Sequence, residues 1–130
     1  MNLAPEFLTL DDILEIHNLP IDTYGGIKGI RSVPLLESAI ATPMATFDDL
    51  FLHESLFEMA AAYAYHIAEN QPFLDGNKRT ALASSLVFLE LNNIEINDPE
   101  MKLYDAMIYI ANKTISKNDL ARLLNTLVSK

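Results

Sequence analysis

At 130 residues, half of them hydrophobic and 21% charged, the chain is long enough to bury a core and fits one domain spanning residues 1–130. Its formal net charge of -9 argues against gripping a nucleic-acid backbone over a broad surface, because that affinity comes largely from Lys and Arg neutralising phosphates; a nuclease is disfavoured and no direct nucleic-acid partner is expected. Cysteine is absent, which removes disulfide and thiol chemistry and agrees with a reducing compartment.

In chain order, MNLAPEFLTL lacks the cationic start and apolar core of a signal peptide, and no apolar run reaches the roughly 18 residues of a membrane span, so a cytoplasmic protein with no membrane partner is expected. Thr9 followed by Asp12 reads as a capping box with Asp in place of Glu. It opens a short helix through His17, with Leu10, Ile13, Leu14 and His17 on one face. His17 is placed at the rim of that face, and no partner residues for a metal role accompany it. Residues 24–31 (YGGIKGIR) hold three of the four glycines and read as a loop; no strand precedes them and no Gly-Lys-Ser/Thr follows, so dinucleotide and P-loop fingerprints fail. Ser32 caps the next helix, with Pro34 in its first turn and Leu35, Leu36, Ala39 and Ile40 as the buried face, and Thr42-Pro43 ends it. From Met44 to Phe51 the pattern is irregular, with Asp48 and Asp49 exposed.

His53-Glu54 begins the longest helical run, and no second His follows to make a zinc-protease pattern. Leu56, Phe57, Ala60, Ala61, Ala64, Ile67 and Ala68 recur at helical spacing, while Tyr63 and Tyr65 read as edge residues with bonded hydroxyls. Residues 81–91 (ALASSLVFLEL) are apolar nearly all round, which predicts the most buried helix, at the centre of the bundle. Asn92-Asn93 stops it through a left-handed residue, and Ile94-Glu95-Ile96 is the one strand-like alternation. Asp98 then reads as an N-cap with Pro99 at N1, opening a helix with Leu103, Met107 and Ile110 inward. Ser116 and Asp119 cap the last helix, with Leu120, Leu123, Leu124, Leu127 and Val128 as one stripe. The expected fold class is all-α: about six helices around a central buried one.

Between the two most apolar runs lies residues 71–79, QPFLDGNKR. Pro, Gly, Asn and Asp make tight turns, but a plain connector has no use for a carboxylate, two adjacent cations and a Phe as well. Phe73 reads as an anchor whose ring pins the turn. If Asn77 caps the following helix, its first N–H groups point over Gly76 beside Lys78 and Arg79, the way helix N-termini take phosphate. Those two cations oppose the macrodipole, which an anionic ligand would offset. Asp75 is either an Asx-type turn stabiliser or a hard oxygen ligand for magnesium.

QPFLDGNKRTA resembles the signature of the Fic/Doc superfamily, Doc (death-on-curing) branch, usually written HxFx(D/N)(A/G)NKRTA, and the upstream YGGIKGIRSVPLLESAI is similar to the segment Doc proteins carry near their N-terminus. The likeness covers roughly residues 8 to 96. It implies a Fic-fold helical bundle, a flap over the target segment near residues 44–51, magnesium at Asp75, and a phosphate nest at Gly76, Asn77, Lys78 and Arg79. Lys78 stands where AMP-transferring relatives have Gly. The resemblance therefore implies a kinase that passes the terminal phosphate of ATP to a hydroxyl of elongation factor Tu and arrests translation, and a toxin paired with an antitoxin whose C-terminal segment folds into a groove. A silent nucleotide- or protein-binding module and an AMP-transferring enzyme are the alternatives.

One position departs from the pattern: Gln71 stands where the family has its catalytic His. An amide has no accessible protonation equilibrium, so Gln cannot take a proton from the attacking hydroxyl. A placed general base is worth about 10²- to 10⁴-fold, so slow turnover is expected while nucleotide binding survives. The replacement is an inactivating change, a naturally silent member, or a case of relocation of the base. His66 is the nearest candidate for the last, although five residues put it off the line of Gln71.

Overall fold

The computed structural model describes residues 4–129, so the first three residues of the stretch read for a signal sequence, and Lys130, lie outside it. Six α-helices follow in order among the described residues: α1 (Leu10–Tyr24), α2 (Val33–Ala41), α3 (Leu56–Asn70), α4 (Asn77–Leu91), α5 (Lys102–Ala111) and α6 (Lys117–Thr126). Two short strands, β1 (Thr46–Phe47) and β2 (Leu50–Phe51), form an antiparallel hairpin between α2 and α3, with Asp48 and Asp49 at positive φ in its turn. No described helix is long and apolar enough to cross a membrane.

The bundle is built around α3, not around α4 as the apolar pattern predicts. α3 packs on α2, α4, α5 and α6, and eight of its residues, from Met59 to Ala68, are buried. Its alanines let neighbouring helices approach from several sides, a geometric property that hydropathy does not register. α4 instead buries Thr80, Ala81, Ser84, Ser85, Phe88 and Leu89, leaving Val87 and Leu91 exposed. Tyr63 is fully buried rather than at an edge, and its hydroxyl accepts the Leu8 N–H at 2.9 Å. Burial raises the phenol pKa to about 12. Phe73 and Phe88 join it among the largest buried side chains, each stabilising the fold by roughly 1.5–3 kcal/mol.

Several boundaries differ from expectation for local reasons. The Thr9–Asp12 capping box forms, but α1 runs through Pro20 to Tyr24, because Ile21 extends the buried line of Ile13 and His17 by another turn. α3 begins at Leu56 with Ser55 as its cap, not at His53. In α2, Leu36, Ala39 and Ile40 point inward while Leu35 is exposed. Asp98 caps α5 from further back: its carboxylate accepts the N–H groups of Lys102 and Leu103 at 2.9 and 2.8 Å. α6 ends at Thr126, and the chain beyond pairs with residues 95–97 through Asn97 N–H to Leu127 O and Ser129 N–H to Glu95 O. That pairing removes Val128 from the helical stripe.

Candidate active site

The turn from Gln71 to Gly76 joins the C-terminus of α3 to the N-terminus of α4, and each end is fixed by an unusual backbone. Gln71 closes α3 in the left-handed region (φ 46°, ψ 57°) and its N–H bonds the Ile67 carbonyl. Gly76 opens α4, also left-handed (φ 76°), so it is Gly76 and not Asn77 that occupies the N-cap. Having no side chain, Gly76 leaves the first N–H groups of α4 uncapped, and no acidic residue lies in the first turn. A Cβ on Gly76 would stand 2.9 Å from Nη2 of Arg79, so the Arg79 guanidinium folds over the helix start. The Asn77 side chain turns back instead: its Oδ1 accepts the Phe73 N–H at 2.9 Å and its Nδ2 donates to the Phe73 carbonyl at 3.0 Å. Asn77 therefore locks the turn, and what it can offer a ligand is its backbone N–H.

Two clefts share this turn. One, of about 580 Å³, is lined by Asp75, Lys78 and Arg79 and walled by Leu82, Leu86 and Tyr104, with Met107 and Ile108 behind. The other, of about 490 Å³, is more polar and contains Gln71, Asp75, Lys78, Glu69 and Lys113. Asp75, Gly76, Asn77 and Lys78 border both. The Asp75 carboxylate is exposed; Oδ1 accepts the Gly76 N–H at 2.9 Å and Oδ2 the Ile27 N–H at 3.3 Å. The turn-stabilising reading of this residue is the one these bonds realise. It stabilises the turn, and each oxygen keeps a lone pair for a cation. A single exposed carboxylate is the kind of hard oxygen donor magnesium takes when it shares a ligand's phosphates, and among the described residues no three His, Cys, Asp or Glu gather into an all-protein cage.

Phe73 is buried and stacks on His17 of α1, with ring centroids 3.8 Å apart and planes 8° from parallel. His17 is not at a rim; it is buried, and its Nε2 lies 2.7 Å from the Asp75 carbonyl oxygen. A carbonyl only accepts, so the proton sits on Nε2. A His on an apolar helix face needs such a partner, and that was the sequence signal for it. His66 lies away from the turn. Its Nε2 and that of His53 accept from Lys117 Nζ at 3.0 and 2.9 Å, which makes both imidazoles neutral. Burial, then the Lys117 charge and His53, lowers the His66 pKa to about 4; burial and Lys117 lower that of His53, and burial lowers that of Lys117. Relocation of the base to His66 is overturned by that arrangement.

A profile described as the Fic/DOC family matches residues 7–89. The chain belongs to that family. It is 32% identical over 120 residues to "Protein kinase doc" of Escherichia phage P1, covering 90% of this chain and 91% of the relative. It is 34% identical over 91 residues to "Toxin Doc" of Mycolicibacterium smegmatis, covering 70% and 68%. The Fic/DOC match takes in α1 to α3, the turn and most of α4, whereas the α5 wall of the larger cleft lies beyond it. The sequence alone presents the glycine segment as a loop similar to one that Doc proteins carry, with no role in the turn. In this member of the Fic/DOC family it is the floor of the turn: Leu74 N–H bonds Gly29 O at 3.1 Å, Ser32 N–H bonds Pro72 O at 3.0 Å, and Ile30 bridges Phe73. Gly26 permits the approach, since a Cβ there would stand 3.1 Å from Asp75 Oδ2.

Proposed function

We propose that this chain is a Doc-type toxin, a phosphotransferase that moves the terminal phosphate of ATP onto a protein hydroxyl, with turnover curtailed by Gln71. One observation carries the reading: an uncapped helix N-terminus bearing Lys78 and Arg79, with Asp75 beside it, at the border of two clefts. Phosphoryl transfer asks a protein mainly for positioning and charge stabilisation. The N–H groups of Asn77, Lys78 and Arg79, with the two cations, suit a polyphosphate. The apolar wall of Leu82, Leu86, Tyr104, Met107 and Ile108 suits an adenosine, at a volume usual for small-molecule sites. Asp75 would hold magnesium together with the phosphates, and that ion would neutralise their charge.

In the transfer itself the hydroxyl oxygen bonds the terminal phosphorus as the bridging oxygen departs with ADP, and the hydroxyl proton needs an acceptor. Gln71 borders the polar cleft but cannot take that proton. A threonine of elongation factor Tu is the proposed acceptor, and the exposed hairpin residues Phe47 and Leu50 suit a flap that steadies its segment. An antitoxin is the proposed partner; the apolar strip of Ile16, Leu19, Val87 and Leu91 between α1 and α4, edged by Asp12 and Glu15, suits an amphipathic helix with basic flanks. Gln71 also favours a second reading, a silent binding module that keeps the nest without turnover.

The test is Gln71→His incubated with terminally labelled ATP, magnesium and a bacterial extract. The kinase reading predicts a labelled band at the size of elongation factor Tu. Nucleotide binding with no label in any band leaves the silent module.

A further inference from the structure

Arg31 meets the carbonyl oxygens of three successive residues at the end of α3. Its backbone N–H donates to Pro72 O at 2.6 Å, its Nε to Gln71 O at 2.7 Å and its Nη2 to Asn70 O at 2.7 Å. We propose that Arg31 is a positioning residue that aims the side chain of position 71 into the polar cleft, an inference that rests on the phosphotransfer reading above.

The argument begins with what position 71 requires. It is a left-handed non-glycine residue, a conformation that persists only where its surroundings hold it. It also closes a helix whose last carbonyls lack intrahelical partners and carry the negative end of the dipole, so a cation there is favourable. The planar guanidinium presents two parallel N–H donors and matches two neighbouring oxygens, which an ammonium cannot do. With the carbonyls of 70, 71 and 72 all turned towards Arg31, the residue-71 side chain is left facing Asp75, Gly76, Asn77 and Lys78 across the cleft. The floor of the turn itself does not depend on the guanidinium. Arg31 is exposed, and Gly29, Ile30, Ser32 and the Asn70 Nδ2 bond to Leu35 O keep the floor in place without it.

Its effect should therefore fall on rate and not on binding. In the Gln71→His background, Arg31→Met is expected to lower kcat by about 10- to 100-fold, since a misplacement of about 1 Å costs on the order of 10²-fold. KM for ATP should stay within about twofold, and Arg31→Lys, which keeps one of the two bonds, should recover part of the loss. A second readout does not depend on activity. By NMR the introduced imidazole should give one sharp ring resonance when Arg31 is present, and a shifted or broadened one in Arg31→Met, which still folds cooperatively. An unmoved resonance with kcat unchanged within twofold overturns the proposal, as does a parallel loss of kcat, ATP affinity and Tm. If Gln71→His shows no phosphotransfer at all, the phosphotransfer reading falls, and the ring resonance still decides the role of Arg31.

Discussion

His66→Gln should flatten part of the acid limb of this protein's stability. In the fold the His66 imidazole is neutral and accepts from Lys117, and its pKa falls from 6.5 to about 4, first through burial and then through the charge of Lys117 and the neighbouring His53. The unfolded chain therefore binds more protons than the folded one between those values. Stability is complete above about pH 6.5 and declines as pH falls towards 4. At roughly 1.4 kcal/mol per unit the shift corresponds to about 3 kcal/mol, and solvent screening of a partly exposed ring reduces that to about 1–2 kcal/mol. His53, lowered mainly by burial and by Lys117 while Glu58 opposes, acts in the same direction. Gln keeps an acceptor for Lys117 and cannot titrate. Urea unfolding of both proteins from pH 7.5 to 4.5 should give stability curves that converge by about 1–2 kcal/mol on the acid side. Parallel curves, or a His66 ring titrating near its ordinary value, would refute the placement of this imidazole on the ammonium.

Two other substitutions probe the architecture. Tyr63→Phe leaves the Leu8 N–H without its acceptor in the core and should cost about 1–3 kcal/mol, read as a lower urea midpoint at constant slope; an unchanged midpoint would mean that another group takes the N–H. Gly76→Ala forces an L side chain to φ 76°, at about 1–2 kcal/mol, and pushes the flexible Arg79 guanidinium off the helix start. Calorimetry should then find ATP affinity down by about tenfold, and undiminished affinity would show that the guanidinium is not needed over Gly76.

Caps and periodicity carried most of the fold. Thr9 with Asp12 and Ser116 with Asp119 bond as their spacing dictates, because a capping box is a local arrangement of four residues. Which helix is central was not legible, since an alanine-rich helix is buried by what it lets approach it. The turn was legible as chemistry, for its carboxylate and cations fall within five positions. Its supports were not. His17 and Arg31 precede it by dozens of residues; His17 reaches it from α1, which packs on α4, and Arg31 from the loop whose glycines at positive φ lie against the turn. A single sequence shows the glycines but not what they approach.

Whether the start of α4 receives a triphosphate, as proposed, is tested most directly by calorimetric titration of the unaltered chain and of Arg79→Ala with ATP and magnesium, which requires no turnover. The unaltered chain should bind ATP with magnesium's help, and Arg79→Ala should bind it at least tenfold more weakly at an unchanged melting temperature. Equal affinity in the two proteins, or no binding by either, would contradict it.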